Sequence, residues 1–251
     1  MSESSPADPF ELRKLYKYLR VADVADGLDG LGYFNLGLID QDIRPLFGGI
    51  QFWGVAFTIR CVPSNRPMWP LDSSAEVVKA HKRWFDKVGN ISYHDQLQEG
   101  HVVVTATGGA QEVGFWGSAN AMGVVAEGAV GIVTDGYCRD TGELEQQGTP
   151  ICARGRGRTI IPGRIMSVET QATVACGGAQ VRPGDIIGCD ADGLIVVPIE
   201  VAKTVARHAR AVRINDMKLR EKYYRRLGKQ PDETVDWQKV EAYYQELDPE
   251  G

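Results

Sequence analysis

The stretch that follows Gly117 could bind an organic anion. Ser118, a residue type that often caps helices, begins a run of small and apolar residues at helical spacing. The first backbone N–H groups of such a helix, those of Ala119 and Asn120 among them, have no partner inside the helix. Free N–H groups at a helix N-terminus suit a carboxylate or a phosphate. The sequence therefore predicts an anion pocket that begins at Gly117.

Two charged residues stand together further along the chain, after the next predicted strand. Arg139 carries a guanidinium, which binds carboxylates in a bidentate fashion, and Asp140 carries a carboxylate, a hard oxygen ligand suited to Mg²⁺. With the anion pocket, this pair would hold a 2-oxo acid beside a metal ion. Each feature alone is also typical of ordinary structure, because helix N-termini are common and an Arg-Asp pair on a turn often forms a surface ion pair.

The elements that would position these residues follow from apolar periodicity. Spacing of i, i+3, i+4 and i+7 is typical of a helix with one buried face, and short runs of β-branched residues are typical of strands. Just ahead of the charged pair, Asp135-Gly136 indicates a turn. Helices are predicted at 10–19, 21–28 and 118–127, and strands at 54–62, 102–105, 130–134, 150–153, 159–161, 167–168, 173–175, 181–187 and 193–198.

The composition of the chain changes after residue 199. Val201, Val205 and Ala209 begin a helical face within a segment rich in Lys and Arg, and a second helix is predicted at 236–247. This order of elements predicts an α+β fold, with a compact β-rich core, helices laid over it and a helical C-terminal extension. The domain that carries the site would span residues 10–200, and the helical extension would span residues 201–251.

Overall composition excludes several classes of protein. The 251 residues are 43% apolar and 24% charged, which are ordinary proportions for a globular chain. A formal net charge of −5 argues against general nucleic-acid binding. Five cysteines without a CxxC motif predict reduced thiols rather than disulfides or a zinc site. Neither a signal peptide nor a membrane-spanning run is found, so we expect a cytoplasmic protein.

Nine blocks of sequence between residues 20 and 200 are similar to one family. Each block is short, but their order along the chain makes the set specific. Through them the chain resembles the RraA-like family, which includes the 4-hydroxy-4-methyl-2-oxoglutarate aldolases and the regulator of ribonuclease activity A. The blocks are VADVADGL (21–28), IRPL (43–46), GVAFT (54–58), GHVVV (100–104), WG (116–117), GAVGIVTDGYCRD (128–140), PICAR (150–154), VRPGDII (181–187) and DADGLIVVP (190–198).

The resemblance implies a swivelling β/β/α fold and a homotrimer or hexamer whose site lies at the subunit boundary. It implies that backbone amides after Gly117 hold a pyruvate carboxylate, that Arg139 grips a carboxylate or oxo oxygen, and that Asp140 ligates Mg²⁺ or Mn²⁺. The activity it implies is that of a metal-dependent carbon–carbon lyase, by retro-aldol cleavage or decarboxylation of a small oxo or hydroxy acid. Such a reaction would pass through a metal-stabilised enolate, with the metal as Lewis acid.

This chain departs from the catalytic pattern of the family at one position. Catalytic members carry an acidic residue, twenty intervening positions and then Arg-Asp, and the acidic position here is Ser118. A serine could cap the helix but cannot activate a metal-bound water as a carboxylate can. The nearest other acids are Glu112 and Glu127. Glu112 on the entrance loop could reach in, although a solvated loop glutamate is the simpler interpretation, and Glu127 is too far down the predicted helix. Ser118 and Arg139 are the candidate catalytic residues, and Asp140 is the candidate metal ligand.

The sequence is compatible with three functions. The leading hypothesis is the lyase, whereas Ser118 favours two others: a non-catalytic binding or regulatory protein, and a dehydratase or isomerase with another acid or base. The basic segment 154–158 is similar to an RNA-binding fragment, but its five residues more simply line the site or the trimer surface, so nucleic acid is not an expected partner. Phe115 and Trp116 would be core aromatics or a wall of the pocket, and Cys138 a buried neutral thiol.

Overall fold

The computed structural model describes residues 8–69, 71, 73–89, 91–109 and 112–249, which form one large mixed sheet, a two-stranded sheet and surface helices. The predicted α+β class is confirmed, and none of the described helices is both long and apolar enough to span a lipid bilayer. The helices are α1 (Pro9–Leu12), α2 (Val21–Asp29), α3 (Val77–Lys87), α4 (Ser118–Ala126), α5 (Thr141–Gln146), α6 (Ala202–Leu227) and α7 (Trp237–Leu247). The strands are β1 (Arg44–Pro45), β2 (Phe52–Pro63), β3 (His101–Ala106), β4 (Gly114–Trp116), β5 (Gly131–Cys138), β6 (Ile151–Arg156), β7 (Ile165–Thr170), β8 (Val174–Cys176), β9 (Ala179–Val181), β10 (Ile186–Asp190) and β11 (Gly193–Val197).

Parallel strands form the centre of the large sheet. Its order is β1-β6-β5-β3-β2-β10-β11, with β4 also paired to β5 and β7 to β2. Strands β2, β3, β5 and β6 run parallel to one another, and β4 is parallel to β5. Every residue of β3 is buried, which is typical of a strand covered on both faces. Because parallel strands end at the same edge, the segments that follow β3, β4 and β5 meet there.

The turn predicted at Asp135 and Gly136 is wrong, because both residues continue β5. Asp135 is buried, and its Oδ1 accepts hydrogen bonds from the N–H and the hydroxyl of Thr107 at 2.6 and 2.7 Å. A Cβ at Gly136 would lie 2.8 Å from the Thr107 hydroxyl oxygen, so glycine permits this close approach. These long-range contacts hold the strand extended as far as Cys138, and the charged pair follows the strand end directly.

Three other predicted elements do not form as continuous helices or strands. The strand predicted at 159–161 is an irregular connection, in which the Thr159 hydroxyl donates to a backbone carbonyl at 2.5 Å. The helix predicted at 10–19 is divided into α1 and a 3₁₀ turn at Arg13–Tyr16. The strand predicted at 181–187 is interrupted by a turn, because Gly184 adopts a φ of 90°, which ends the extended backbone.

The C-terminal helices pack on the core through α2. A Cβ at Gly27 of α2 would lie 2.8 Å from the Val205 carbonyl oxygen, so the glycine lets α2 and α6 approach closely. Val205 and Ala209 are buried, as the predicted apolar face required. After α7, Asp248 accepts two hydrogen bonds from the Arg207 guanidinium at 2.7 and 2.8 Å. The helical extension is confirmed, and its independence as a separate domain stays a prediction.

Candidate functional site

The predicted anion pocket forms at the start of α4. Gly117 is the N-cap residue, with extended backbone angles (φ −112°, ψ 170°), and Ser118 is the first helical residue. The first bond of the helix ladder runs from the Ala121 N–H to the Gly117 carbonyl at 3.0 Å. The amides of Ser118, Ala119 and Asn120 therefore precede the ladder, and the last two of these residues are exposed.

The charged pair lies directly against this helix start. The Arg139 N–H donates to the Trp116 carbonyl at 2.9 Å, which ties the end of β5 to β4. The Asp140 Oδ2 atom accepts a hydrogen bond from the Ser118 N–H at 3.3 Å and lies 3.7 Å from Arg139 Nε. About a third of each of the two charged side chains is exposed, 36% for Arg139 and 39% for Asp140, so both can reach a ligand. The structure thus brings together Ser118, Arg139 and Asp140.

Asp140 adopts a backbone conformation that is uncommon for a residue other than glycine. Its φ is 55° and its ψ 35°, in the left-handed region. This conformation ends the strand and begins α5, because the Asp140 carbonyl accepts from Glu143 N and Leu144 N at 3.0 Å. Left-handed non-glycine residues cluster at functional sites, where the surrounding structure maintains them.

Two glycines make room for the charged pair. A Cβ at Gly117 would lie 2.6 Å from Asp140 Oδ2 and 3.2 Å from Arg139 Nε. A Cβ at Gly114 would lie 3.0 Å from the Arg139 Cβ and 2.7 Å from the Thr159 carbonyl oxygen. Without a side chain at these positions, both charged groups can lie over the head of the helix.

Ser118 does not cap the helix as predicted. Its hydroxyl instead donates to Glu143 Oε2, with Oγ and Oε2 2.5 Å apart. A side chain in the first helical residue points toward the preceding segment, and here α5 places Glu143 within reach of it. Sequence reasoning missed Glu143. The signal that could have found it is its position three residues after Asp140, where a helix beginning at that aspartate carries both acids toward the same side.

Glu112 and Glu127, the two alternative acids that the sequence offered, are paired with residues outside the site. Glu112 accepts hydrogen bonds from Arg158 N, Nε and Nη2 at 2.8 to 2.9 Å, and the Arg158 side chain lowers the pKa of Glu112 to about 2. Glu127 lies 3.1 Å from His94 Nδ1. The Arg154 guanidinium donates to the Asp135 carbonyl at 3.2 Å. Two arginines of the basic segment 154–158 are therefore committed to protein partners.

The aromatic residues beside the pocket belong to the core. Trp116 is fully buried and donates from Nε1 to the Thr105 hydroxyl at 3.1 Å, and Phe115 is 4% exposed. Cys138 is buried, and burial raises the pKa of its thiol. It is therefore a neutral, unreactive thiol, as the sequence indicated.

The oxygen donors of the site fit a hydrated divalent cation. The donor nearest the helix start is the Asp140 carboxylate, a hard ligand of the kind that Mg²⁺ and Mn²⁺ accept. Among the described residues no group of three or more His, Cys, Asp or Glu side chains is arranged to enclose a metal. One or two carboxylates with several waters is the usual arrangement for Mg²⁺, and the exposure of Asp140 leaves room for those waters.

A family model covers the whole of this site. The model, described as RraA-like, Aldolase/RraA, matches residues 21–196. A protein of Halalkalibacterium halodurans whose name provisionally assigns it as a 4-hydroxy-4-methyl-2-oxoglutarate aldolase is 33% identical over 90 residues, 36% of this chain. The chain spans 42% of that relative's length, and 29% and 56% of the lengths of two further curated relatives.

Solved structures share the fold. An uncharacterised protein from Pseudomonas syringae pv. tomato superposes with a TM-score of 0.70 at 26% identity, and the match covers 90% of this chain and 97% of that chain. RraAS2 of Streptomyces coelicolor, described as an unusual member of the RNase ES inhibitor RraA protein family, superposes with a TM-score of 0.66 at 24% identity, over 86% of this chain and 96% of that chain. The fold implied by the sequence blocks is confirmed.

Proposed function

Because this chain belongs to the RraA-like family, we propose that it is a divalent-metal-dependent lyase acting on a small oxo or hydroxy acid. The observation that carries the proposal is the meeting of Arg139, Asp140 and the start of α4, joined by the hydrogen bond from Ser118 N to Asp140 Oδ2. A surface ion pair alone would not account for Gly117, whose missing side chain leaves space for both charged groups. The reaction is retro-aldol cleavage or decarboxylation.

The groups of the chain have separate roles in this proposal. Arg139 and the amides of Ala119 and Asn120 would hold the carboxylate and the 2-oxo oxygen of the substrate. Asp140 would hold Mg²⁺ or Mn²⁺ with waters completing the coordination, and the bound cation would supply Lewis-acid chemistry at the 2-oxo group. Ala119 and Asn120 are exposed in the single chain, which leaves space for a neighbouring subunit of a trimer or hexamer to close the site.

Pyruvate release tests the proposal. The substrates are a panel of 4-hydroxy-2-oxo acids and oxaloacetate, each with and without Mg²⁺ or Mn²⁺. We expect metal-stimulated release by the wild type, and a loss of about 100-fold in Arg139→Lys, because lysine cannot make the bidentate contact. Arg158→Lys is the matched control, since that guanidinium pairs with Glu112. No release from any substrate with either metal would refute the lyase.

A binding or regulatory protein is the second candidate, and the serine at position 118 favours it. In that case a carboxylate ligand should raise the melting temperature of the wild type but not of Arg139→Lys, and no product should form. A dehydratase or isomerase on the same scaffold would convert a substrate of the panel without releasing pyruvate. Mass spectrometry of the products separates these outcomes from the lyase.

A further inference from the structure

A hydrogen bond at the site brings in a residue outside the Arg-Asp motif. The Ser118 hydroxyl donates to Glu143 Oε2 at 2.5 Å, a short distance typical of a hydroxyl bonded to a carboxylate. Glu143 lies in the first turn of α5, which begins directly after Asp140. Two acids at the start of α5 therefore contact Ser118: Asp140 accepts from its N–H, and Glu143 accepts from its hydroxyl.

The direction of this bond limits what Ser118 can offer a ligand. A serine hydroxyl has one proton to donate and two lone pairs that accept. Because the hydroxyl already donates its hydrogen bond to Glu143, Ser118 Oγ can face a ligand only as an acceptor. It therefore suits a ligand hydroxyl and disfavours a carboxylate or carbonyl oxygen. The anionic end of the ligand is left to Arg139 and the helix amides.

We propose that Ser118 and Glu143 form a pair that receives the 4-hydroxyl group of a 4-hydroxy-2-oxo acid, an inference that rests on the proposed lyase function. In retro-aldol cleavage the substrate hydroxyl gives its proton to Ser118 Oγ, while the Ser118 proton passes to Glu143 Oε2. The electrons of the substrate's O–H bond form the new C=O bond at C4. The C3–C4 bond breaks, and its electron pair stays on the pyruvate fragment as an enolate. The proton then returns from Glu143 through Ser118 to C3, which yields pyruvate and restores the pair.

The pair of Ser118 and Glu143 supplies a carboxylate where the acid of the family pattern is replaced by serine. Where the sequence has a serine in place of the acid, the fold provides a carboxylate from α5 at the end of the serine side chain. Ser118 then contacts the substrate, and Glu143 acts through Ser118. General acid–base groups of this kind contribute about 10²–10⁴-fold to a rate.

Two substrates separate the role of the pair from the lyase function as a whole. Cleavage of 4-hydroxy-2-oxopentanoate requires removal of a hydroxyl proton, whereas decarboxylation of oxaloacetate does not. We expect Glu143→Gln and Ser118→Ala to lower kcat for the cleavage by about 100-fold or more, and to lower kcat for the decarboxylation by a factor at least about ten times smaller, because only the cleavage has a hydroxyl proton to remove. Glu145→Gln is the matched control, since Glu145 is exposed on the same helix, and it should change neither reaction.

Binding provides a measure that does not depend on turnover. In the absence of divalent metal, calorimetry should show that the wild type binds 4-hydroxy-2-oxopentanoate more tightly than 2-oxopentanoate. Glu143→Gln should remove this preference without changing the melting temperature by more than about 5 °C. A variant that keeps the preference would overturn the inference.

The remaining outcomes distinguish the two proposals. Equal losses in both reactions for Glu143→Gln, or unchanged cleavage of the hydroxy acid, would overturn the role of the pair. A wild type that decarboxylates oxaloacetate but does not cleave the hydroxy acid would also overturn it, while the lyase proposal would stand. A wild type that acts on neither substrate would refute the lyase, and the role of the pair with it.

Discussion

Replacing Ser118 by aspartate introduces the acid that the family resemblance implies at this position, but here it should destabilise the protein. Ser118 Oγ lies 2.5 Å from Glu143 Oε2, and Ser118 N lies 3.3 Å from Asp140 Oδ2. The introduced carboxylate would therefore stand next to two others. We expect Ser118→Asp to be less stable than the wild type, and no faster in cleaving a hydroxy acid while Glu143 is present.

The size of the effect follows from three contributions. Two unit charges about 4 Å apart repel by about 4 kcal/mol at an effective dielectric constant near 20, and the exposure of Glu143 reduces this to about 1–2 kcal/mol. Loss of the serine–glutamate hydrogen bond removes about 1 kcal/mol. A negative charge in the first turn of α4 regains about 0.5 kcal/mol from the helix dipole. The net loss is about 2 kcal/mol.

A double-mutant cycle measures this repulsion. Urea unfolding of the wild type, Ser118→Asp, Glu143→Gln and the double variant gives the coupling energy between the two positions. We expect the double variant to be at least about 1 kcal/mol more stable than Ser118→Asp, because the glutamine amide carries no charge and can donate to the introduced carboxylate. Glu145→Gln in place of Glu143→Gln should show no coupling. A Ser118→Asp protein as stable as the wild type, with no coupling to Glu143, would refute the reasoning.

Four further experiments test the site, the packing and the assembly. Asp140→Ala should abolish Mg²⁺ and Mn²⁺ binding in calorimetry, and unchanged affinity would remove Asp140 from the site. Gly117→Ala should weaken carboxylate binding at least about tenfold with secondary structure retained, because its Cβ would lie 2.6 Å from Asp140 Oδ2. The Arg207 guanidinium lowers the pKa of Asp248 to about 2, below its unfolded value of about 3.9, so its stabilisation is complete above that value and is lost as pH falls through 2. Asp248→Asn should therefore unfold at lower urea than the wild type at pH 7, by a margin that shrinks toward pH 2. Light scattering at micromolar concentration should give a trimer or hexamer, and a monomer would contradict a shared site.

Local sequence patterns were sufficient to predict β3 and α4 at the site, whereas β4 and α5 were not predicted. The valine run of β3 predicted a buried strand, and the small residues after Gly117 predicted a helix beginning at residue 118. Both signals are carried by neighbouring residues, because helix and strand periodicity are properties of a short stretch of backbone. The apolar face of α6 and the start of α7 directly after its N-cap residue Asp236 were predictable for the same reason.

Where local patterns failed, contacts between distant segments determined the structure. Asp135-Gly136 has the composition of a turn, yet hydrogen bonds from Thr107, 28 residues away, hold it within β5. Glu112 was an acid that could have reached the pocket, yet Arg158, 46 residues away in sequence, holds it elsewhere. In each case the competing partner is a neighbour only in the folded chain, so no short-range pattern indicates it.

The sequence by itself determined that a helix N-terminus, an arginine and an aspartate occur in this order, and it located the one position where an acid is missing. Only the tertiary structure decided which group accepts the hydrogen bond of the Ser118 hydroxyl. That group is Glu143, brought within 2.5 Å because Asp140 turns into the left-handed region and starts a new helix against α4. The physical reason is that a hydroxyl bonds to whichever acceptor lies nearest in space, and the distance between two helices is set by packing rather than by the residues adjacent to the hydroxyl.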